Sequence, residues 1–191
     1  MKKILLILLA IFLFTGSGGD ENSKSTNSDL EKSNTKVEVQ KAVDLGITVE
    51  KFQADFNQNA LEKNLPQMQI SGFEFGAGNS PDTIIHKFID TFYLYGKVNS
   101  KTGNIKSISV VKALVFSGSD RKAEAVTAAA AFLIMVKTLS PELTAEERAA
   151  IIKKFSASNK PYVAVTEGNI KYNQAFMEDG KVLMLSADIK D

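Results

Sequence analysis

The sequence predicts an α+β domain in which an antiparallel sheet of two β-meanders packs against three helices, in the order α-βββ-αα-βββ. Three observations predict it. The run Ala123–Val136 (AEAVTAAAAFLIMV) has only Glu124 and Thr127 as polar residues, so a helix there has no solvent face and needs cover on nearly all sides. Strand-patterned segments come in two runs, one before that helix and one near the C-terminus, rather than alternating singly with helices. Turn signals at residues 99–104 (NSKTGN), at Glu167-Gly168-Asn169 and at Asp179-Gly180 divide the runs into hairpins.

Three parts follow from composition: a signal peptide over 1–17, a polar tether over 18–40 and a single α+β domain over 41–191. Met1-Lys2-Lys3 is a short basic start, Ile4–Phe14 is apolar, and Thr15-Gly16-Ser17-Gly18-Gly19 is small and polar. That pattern describes a secretory signal peptide, too short to be a permanent span of about 20 residues. Thr15 and Ser17 stand at −3 and −1 of an ordinary cleavage site. Phe14-Thr15-Gly16-Ser17-Gly18 also resembles the lipobox of bacterial lipoproteins, with Ser17 where the lipid-bearing cysteine would stand. A serine cannot form the thioether, so cleavage without lipidation is expected.

Cleavage there removes Lys2 and Lys3 from the 23 basic residues and none of the 22 acidic ones, leaving a nearly neutral chain. Nucleic acid is thereby disfavoured as a partner, since it calls for a basic patch. The chain has no cysteine, which excludes disulfides, thiolate nucleophiles and cysteine-based zinc sites. A domain of roughly 150 residues buries enough apolar surface to fold without such staples.

Residues 18–36 contain one large apolar residue, Leu30, and cannot offset their own ordering entropy. Val37–Leu45 fits a short lead-in strand or a helix equally. The first helix starts after Thr48, an N-cap, with Ile47 placed to staple onto Phe52. Phe52, Phe56 and Ala60, with Leu61 beside them, form its apolar stripe, and Asn64 and Pro66 stop it.

Three strand segments are expected next. Gln69–Phe75 alternates, and 76–81 is turn material. Thr83–Val98 is long for one strand and is expected to bend or bulge. One of its faces carries Ile84, His86, Phe88, Phe92 and Leu94; the other carries Ile85, Lys87, Tyr93 and Tyr95. Ile105–Phe116 pairs back through NSKTGN, with Gly103 left-handed, and Lys112 interrupts its apolar face as a bulge or an edge would.

Ser119 or Asp120 caps the central helix, and Lys137 in its last turn suits the helix dipole. Ser140-Pro141 breaks it. Thr144 and Glu147 form a capping box for a helix over Ala145–Phe155. Tyr162–Val165, Ile170–Met177 and Lys181–Ile189 are the last three strands. Each half is a helix followed by three strands, and Ile47-Thr48-Val49-Glu50 echoes Leu143-Thr144-Ala145-Glu146. A duplicated unit explains that echo; so does capping chemistry alone.

No reactive constellation emerges. His86 is the sole histidine; alternating with Ile84 and Phe88, it belongs at the core edge or in a sheet hydrogen bond. The carboxylates Asp44, Asp55, Glu74, Asp82, Asp90, Glu124, Glu167 and Asp188 are scattered, and GFEFGAG (72–78) lacks the GK[ST] of a phosphate loop. No cofactor, metal or catalytic residue is assigned. Tyr93 and Tyr95, beside Lys87 and Lys97, are the candidate binding surface for protein or glycan, with cross-strand aromatic pairing as the purely structural explanation. The expected function is a non-catalytic binding or interaction module of the cell envelope, periplasmic or secreted. Its partner would be an envelope protein or glycan, and the membrane would be touched only through the N-terminal signal segment. A hydrolase using dispersed carboxylates (Asp90, Glu124, Glu74) is the alternative.

Overall fold

Hydrophobic spacing becomes geometry in a computed structural model that describes residues 43–76, 80–115 and 119–190. The signal-peptide and tether assignments, with Thr15 and Ser17, lie outside the described residues, as do Gly78, Phe116, Ser117 and Gly118. The elements are α1 (Val49–Glu62), β1 (Glu74–Phe75), β2 (Thr83–Ile89), β3 (Phe92–Val98), β4 (Ile105–Ala113), α2 (Ser119–Leu139), α3 (Ala145–Ala157), β5 (Tyr162–Glu167), β6 (Ile170–Met177) and β7 (Val182–Ile189). All strands join one antiparallel seven-stranded sheet in the order β1-β2-β3-β4-β7-β6-β5. The α+β class is as expected. Outward from the central β4–β7 pair, β3 and β2 on one side answer β6 and β5 on the other.

Both helix starts carry the expected caps. Thr48 accepts from the Lys51 amide, and Thr144 and Glu147 complete a capping box. Val49, Phe52, Phe56 and Ala60 put one buried stripe of α1 into the core. Helix α2 crosses the centre of the molecule, contacting α1, α3, β4 and β7. Its C-terminal half is the part closed in on nearly all sides: Ala128, Ala131, Phe132, Ile134, Met135 and Val136 are buried, whereas Ala123 is exposed. Fully burying one such large apolar side chain is worth about 1.5–3 kcal/mol. Among the described residues no helix is long and apolar enough to cross a membrane.

Several boundaries differ from expectation, each for a local reason. Thr83–Val98 is not one strand but the hairpin β2–β3, closed at Asp90-Thr91 with Ile89 opposite Phe92. A two-residue turn alone would reverse the alternation, since Ile89 and Phe92 face each other, but the expected bulge, between Lys87 and Ile89, restores it, so the pattern runs on through a turn that no glycine or proline marks. Gln69–Phe75 shrinks to the two-residue β1 because α1 satisfies the segment instead: Ile70 N donates to Asn57 Oδ1 (2.6 Å), and its carbonyl accepts from Asn57 Nδ2 (2.9 Å) and Gln53 Nε2 (3.1 Å). Lys112 marks neither a bulge nor an edge. It lies in regular register on the central strand β4, opposite Phe92 and Leu183, and is 4% exposed. Ser119 and Asp120 are the first residues of α2 rather than residues before it, so its N-cap lies outside the described residues. The Asp179-Gly180 signal sits in a four-residue loop, 178–181, between paired Met177 and Val182.

Candidate functional site

Strand register decides which side chains meet on the sheet. One face carries Ile84, Leu94, Ile108, Val110, Leu183, Leu185, Ala187, Tyr172 and Val165, all in a single core cluster with residues of the three helices. The residues alternating with them form the second face. None of its Tyr93, Tyr95, Ile85, Val111 and Met184 belongs to that cluster, although Val111 is only 7% exposed.

This second face is ordered in rows across the strands. One row runs Lys87, Tyr93, Val111, Met184, Ala175, Tyr162. The next runs Ile85, Tyr95, Ser109, Ser186, Asn173, Ala164, and a third runs Lys97, Ser107, Asp188, Lys171, Thr166. Beyond the first row, Val182 stands between Ala113 and Met177. The face therefore grades from an apolar stripe through a mixed row to a polar one. Tyr162 and Met177 in the stripe are 50% and 41% exposed.

The polar side is internally bonded. Tyr162 Oη donates to Asn173 Oδ1 (2.6 Å), and Asn173 Nδ2 donates to Asp188 Oδ2 (2.7 Å) and Ser186 Oγ (3.2 Å). Those bonds hold Asn173 and Ser186, each 5% exposed, at the bottom of the face. The Tyr162–Asn173–Ser186–Asp188 chain escaped the sequence reading because it spans β5, β6 and β7, whose register no single segment reveals.

Tyr93 and Tyr95 are half-buried on this second face. Tyr93 lies between Lys87 and Val111, and Tyr95 between Ile85 and Ser109. Neither makes a ring contact among the described residues; the aromatic chain Phe52–Phe73–His86–Phe88–Phe92 runs on the helix side. His86 is part of that chain, 7% exposed, with Nδ1 at 2.8 Å from the Gly72 carbonyl.

Most of the scattered carboxylates are engaged by neighbours. Glu124 pairs with Lys112 (2.9 Å), Asp55 with Lys51 and Glu167 with Lys154, while Asp82 accepts from Ser80. Glu74 lies in β1 and Asp90 in the β2–β3 turn. Among the described residues no group of three or more His, Cys, Asp or Glu is placed to hold a metal ion. A groove of about 300 Å³ opens between Asp44, Ser140, Glu142, Glu167, Asn169 and Ile189.

Asp44 organises the 99–104 loop. Its carboxylate accepts from Thr102 Oγ1 (2.6 Å), Asn99 Nδ2 (3.0 Å), Asn104 Nδ2 (3.1 Å) and Gly46 N (3.1 Å). The Thr102 hydroxyl above all holds its pKa below the ordinary aspartate value, against an opposing push from burial. A carboxyl depressed on folding contributes stability above its unfolded pKa and loses it as pH falls through the folded one. Asp44→Asn is therefore expected to lower Tm at neutral pH, and the gap to wild type should narrow as pH falls below the ordinary aspartate value of about 3.9. Thermal melts of both proteins from neutral to acid pH test this; a gap constant across that range contradicts it.

Comparison with known proteins finds no matching family, no similar curated protein and no similar solved structure.

Proposed function

We propose that this chain is an exported, non-catalytic interaction module that holds an envelope partner protein on the second face of its sheet. The observation that carries the reading is the apolar row Tyr93, Val111, Met184, Ala175 and Tyr162, which lies on the face that the core cluster and its three helices do not use. An antiparallel sheet with one solvated face ordinarily alternates apolar-in with polar-out, so an apolar row on the outer side calls for a partner.

The chemistry of the row favours protein over glycan. Val111, Met184 and the neighbouring Val182 and Met177 are aliphatic or thioether groups that pack against apolar side chains and offer a sugar no hydrogen bond. The polar row beside it suits the rim of such an interface. A hydrolase has less to stand on, since Glu124 is engaged by Lys112.

The test is cross-linking of the C-terminally tagged full chain in the cells that produce it, with mass-spectrometric identification of what it captures. One stoichiometric partner is expected, lost in Tyr93→Glu and Met184→Lys variants that melt within a few degrees of wild type. A partner retained by both variants, or substrate turnover by the purified protein, sinks the reading.

A further inference from the structure

The two edges of the sheet are unlike. Strand β1 is two residues long, a blunt edge. Strand β5 is the opposite edge, six residues (YVAVTE) without lysine, arginine, proline or bulge. Natural sheets usually protect long edges with one of those devices, because an unpaired ladder recruits another strand.

The direction of the β5 backbone groups follows from its bonds. Phe176 N donates to the Pro161 carbonyl (2.8 Å), so Pro161 and Phe176 form a hydrogen-bonded pair. Alternation then makes Val163–Gln174, Val165–Tyr172 and Glu167–Ile170 the paired positions toward β6. The bond from Lys190 N to the Asn169 carbonyl requires the same phase in β6. Tyr162, Ala164 and Thr166 consequently point their N–H and C=O groups out from the edge. Pro161 lacks its N–H on the inner side, where it cannot blunt the outer ladder.

We infer that β5 is a self-pairing edge, joining two copies of this chain antiparallel about a twofold axis at Ala164. That register sets Tyr162 against Thr166 of the second copy on one face and Val163 against Val165 of the second copy on the other. Both are aromatic or β-branched pairs of the kind that stabilise adjacent strands. The only charged residue of β5, Glu167, falls opposite Pro161 of the second copy, so no like charges meet. Each copy donates from three amides and accepts at three carbonyls, and the interface is isologous, as a twofold requires. Tyr162 is already fixed by its bond to Asn173, which lowers the ordering cost of the pairing. Across the axis the apolar row ending at Tyr162 meets the polar row of the second copy, which starts at Thr166 and Lys171. This inference is independent of the envelope-partner reading.

The test measures the mass of the purified full chain by sedimentation equilibrium across a concentration series. A monomer–dimer equilibrium is expected for wild type and loss of the dimer for Ala164→Pro. Proline there removes an outward N–H and leaves the β5–β6 ladder whole, so circular dichroism should match wild type. Since the chain has no cysteine, Ala164→Cys should form a disulfide-linked dimer under mild oxidation, its Cα atoms about 5.5 Å apart across the axis. Thr166→Cys alone should not cross-link, while the Tyr162→Cys/Thr166→Cys double variant should. A wild type that stays monomeric at all concentrations overturns the inference, as does a dimer that Ala164→Pro leaves intact. Equal cross-linking by Ala164→Cys and Thr166→Cys overturns the register and the twofold with it.

Discussion

Lys112→Ala is expected to destabilise the protein by about 3–5 kcal/mol, the cost of removing one partner from a buried ion pair. Lys112 Nζ donates to Glu124 Oε1 (2.9 Å), Thr91 Oγ1 (3.0 Å) and the Ala113 carbonyl (3.0 Å), which matches the three donors of an ammonium to three acceptors. The two charged side chains are 5% and 12% exposed. Truncation takes the buried cation away from the Glu124 carboxylate in a nearly dry site, removes one of the bonds that hold Thr91 in the β2–β3 turn, and opens a cavity between β4 and α2. The pair is not itself a large source of stability, because its attraction must first offset the desolvation of both ions. Lys112→Met combined with Glu124→Gln should therefore recover much of the loss. Urea denaturation of the two variants and the wild type separates these terms. A Lys112→Ala cost below about 1 kcal/mol would show that Glu124 is resolvated at little expense, as at an exposed pair.

The same residue shows where sequence reading stops. A lysine in an apolar strand face breaks the pattern, and from one segment alone a bulge or an edge is the economical explanation. The actual solution depends on Glu124, twelve positions away on another element. Much local chemistry was legible: Thr48 and Thr144 cap their helices, Gly103 takes φ 75°, and β6 occupies Ile170–Met177, although Ser119 and Asp120 lie inside α2 and do not cap it. Turns lacking glycine or proline were not, and Asp90-Thr91 hid a whole hairpin inside one alternating run. The candidate face was partly legible. Alternation alone placed Tyr93 and Tyr95 opposite Phe88 and Phe92. That Val111, Met184, Ala175 and Tyr162 continue their row depends on β4 pairing with β7, a contact between residues roughly seventy positions apart. Nothing in either strand announces it.

Phe132→Ala should cost a similar amount, about 3–5 kcal/mol, for a different reason. Phe132 is fully buried at the point where three elements meet. Its ring lies 5.7 Å from Phe155 of α3 and edge-on, at 5.9 Å and 89°, to Tyr172 of β6. Removing it forfeits the transfer free energy of the ring and leaves a cavity that rigid neighbours cannot collapse into. Tyr172 is itself pinned, its hydroxyl 2.8 Å from Ser140 Oγ at the end of α2, and burial pushes its phenol up to about 12. In a chain of this size such a loss corresponds to a Tm drop of roughly 10 °C or more. Tyr172→Phe keeps the edge-to-face packing and gives up one neutral hydrogen bond, so it should cost only about 1 kcal/mol. The contrast identifies ring volume, rather than the hydroxyl pair, as what holds α2 and α3 onto the C-terminal meander. A Phe132→Ala cost near that of Tyr172→Phe would mean that α3 slides to fill the space, and that the α2–α3 contact is looser than its ring geometry implies.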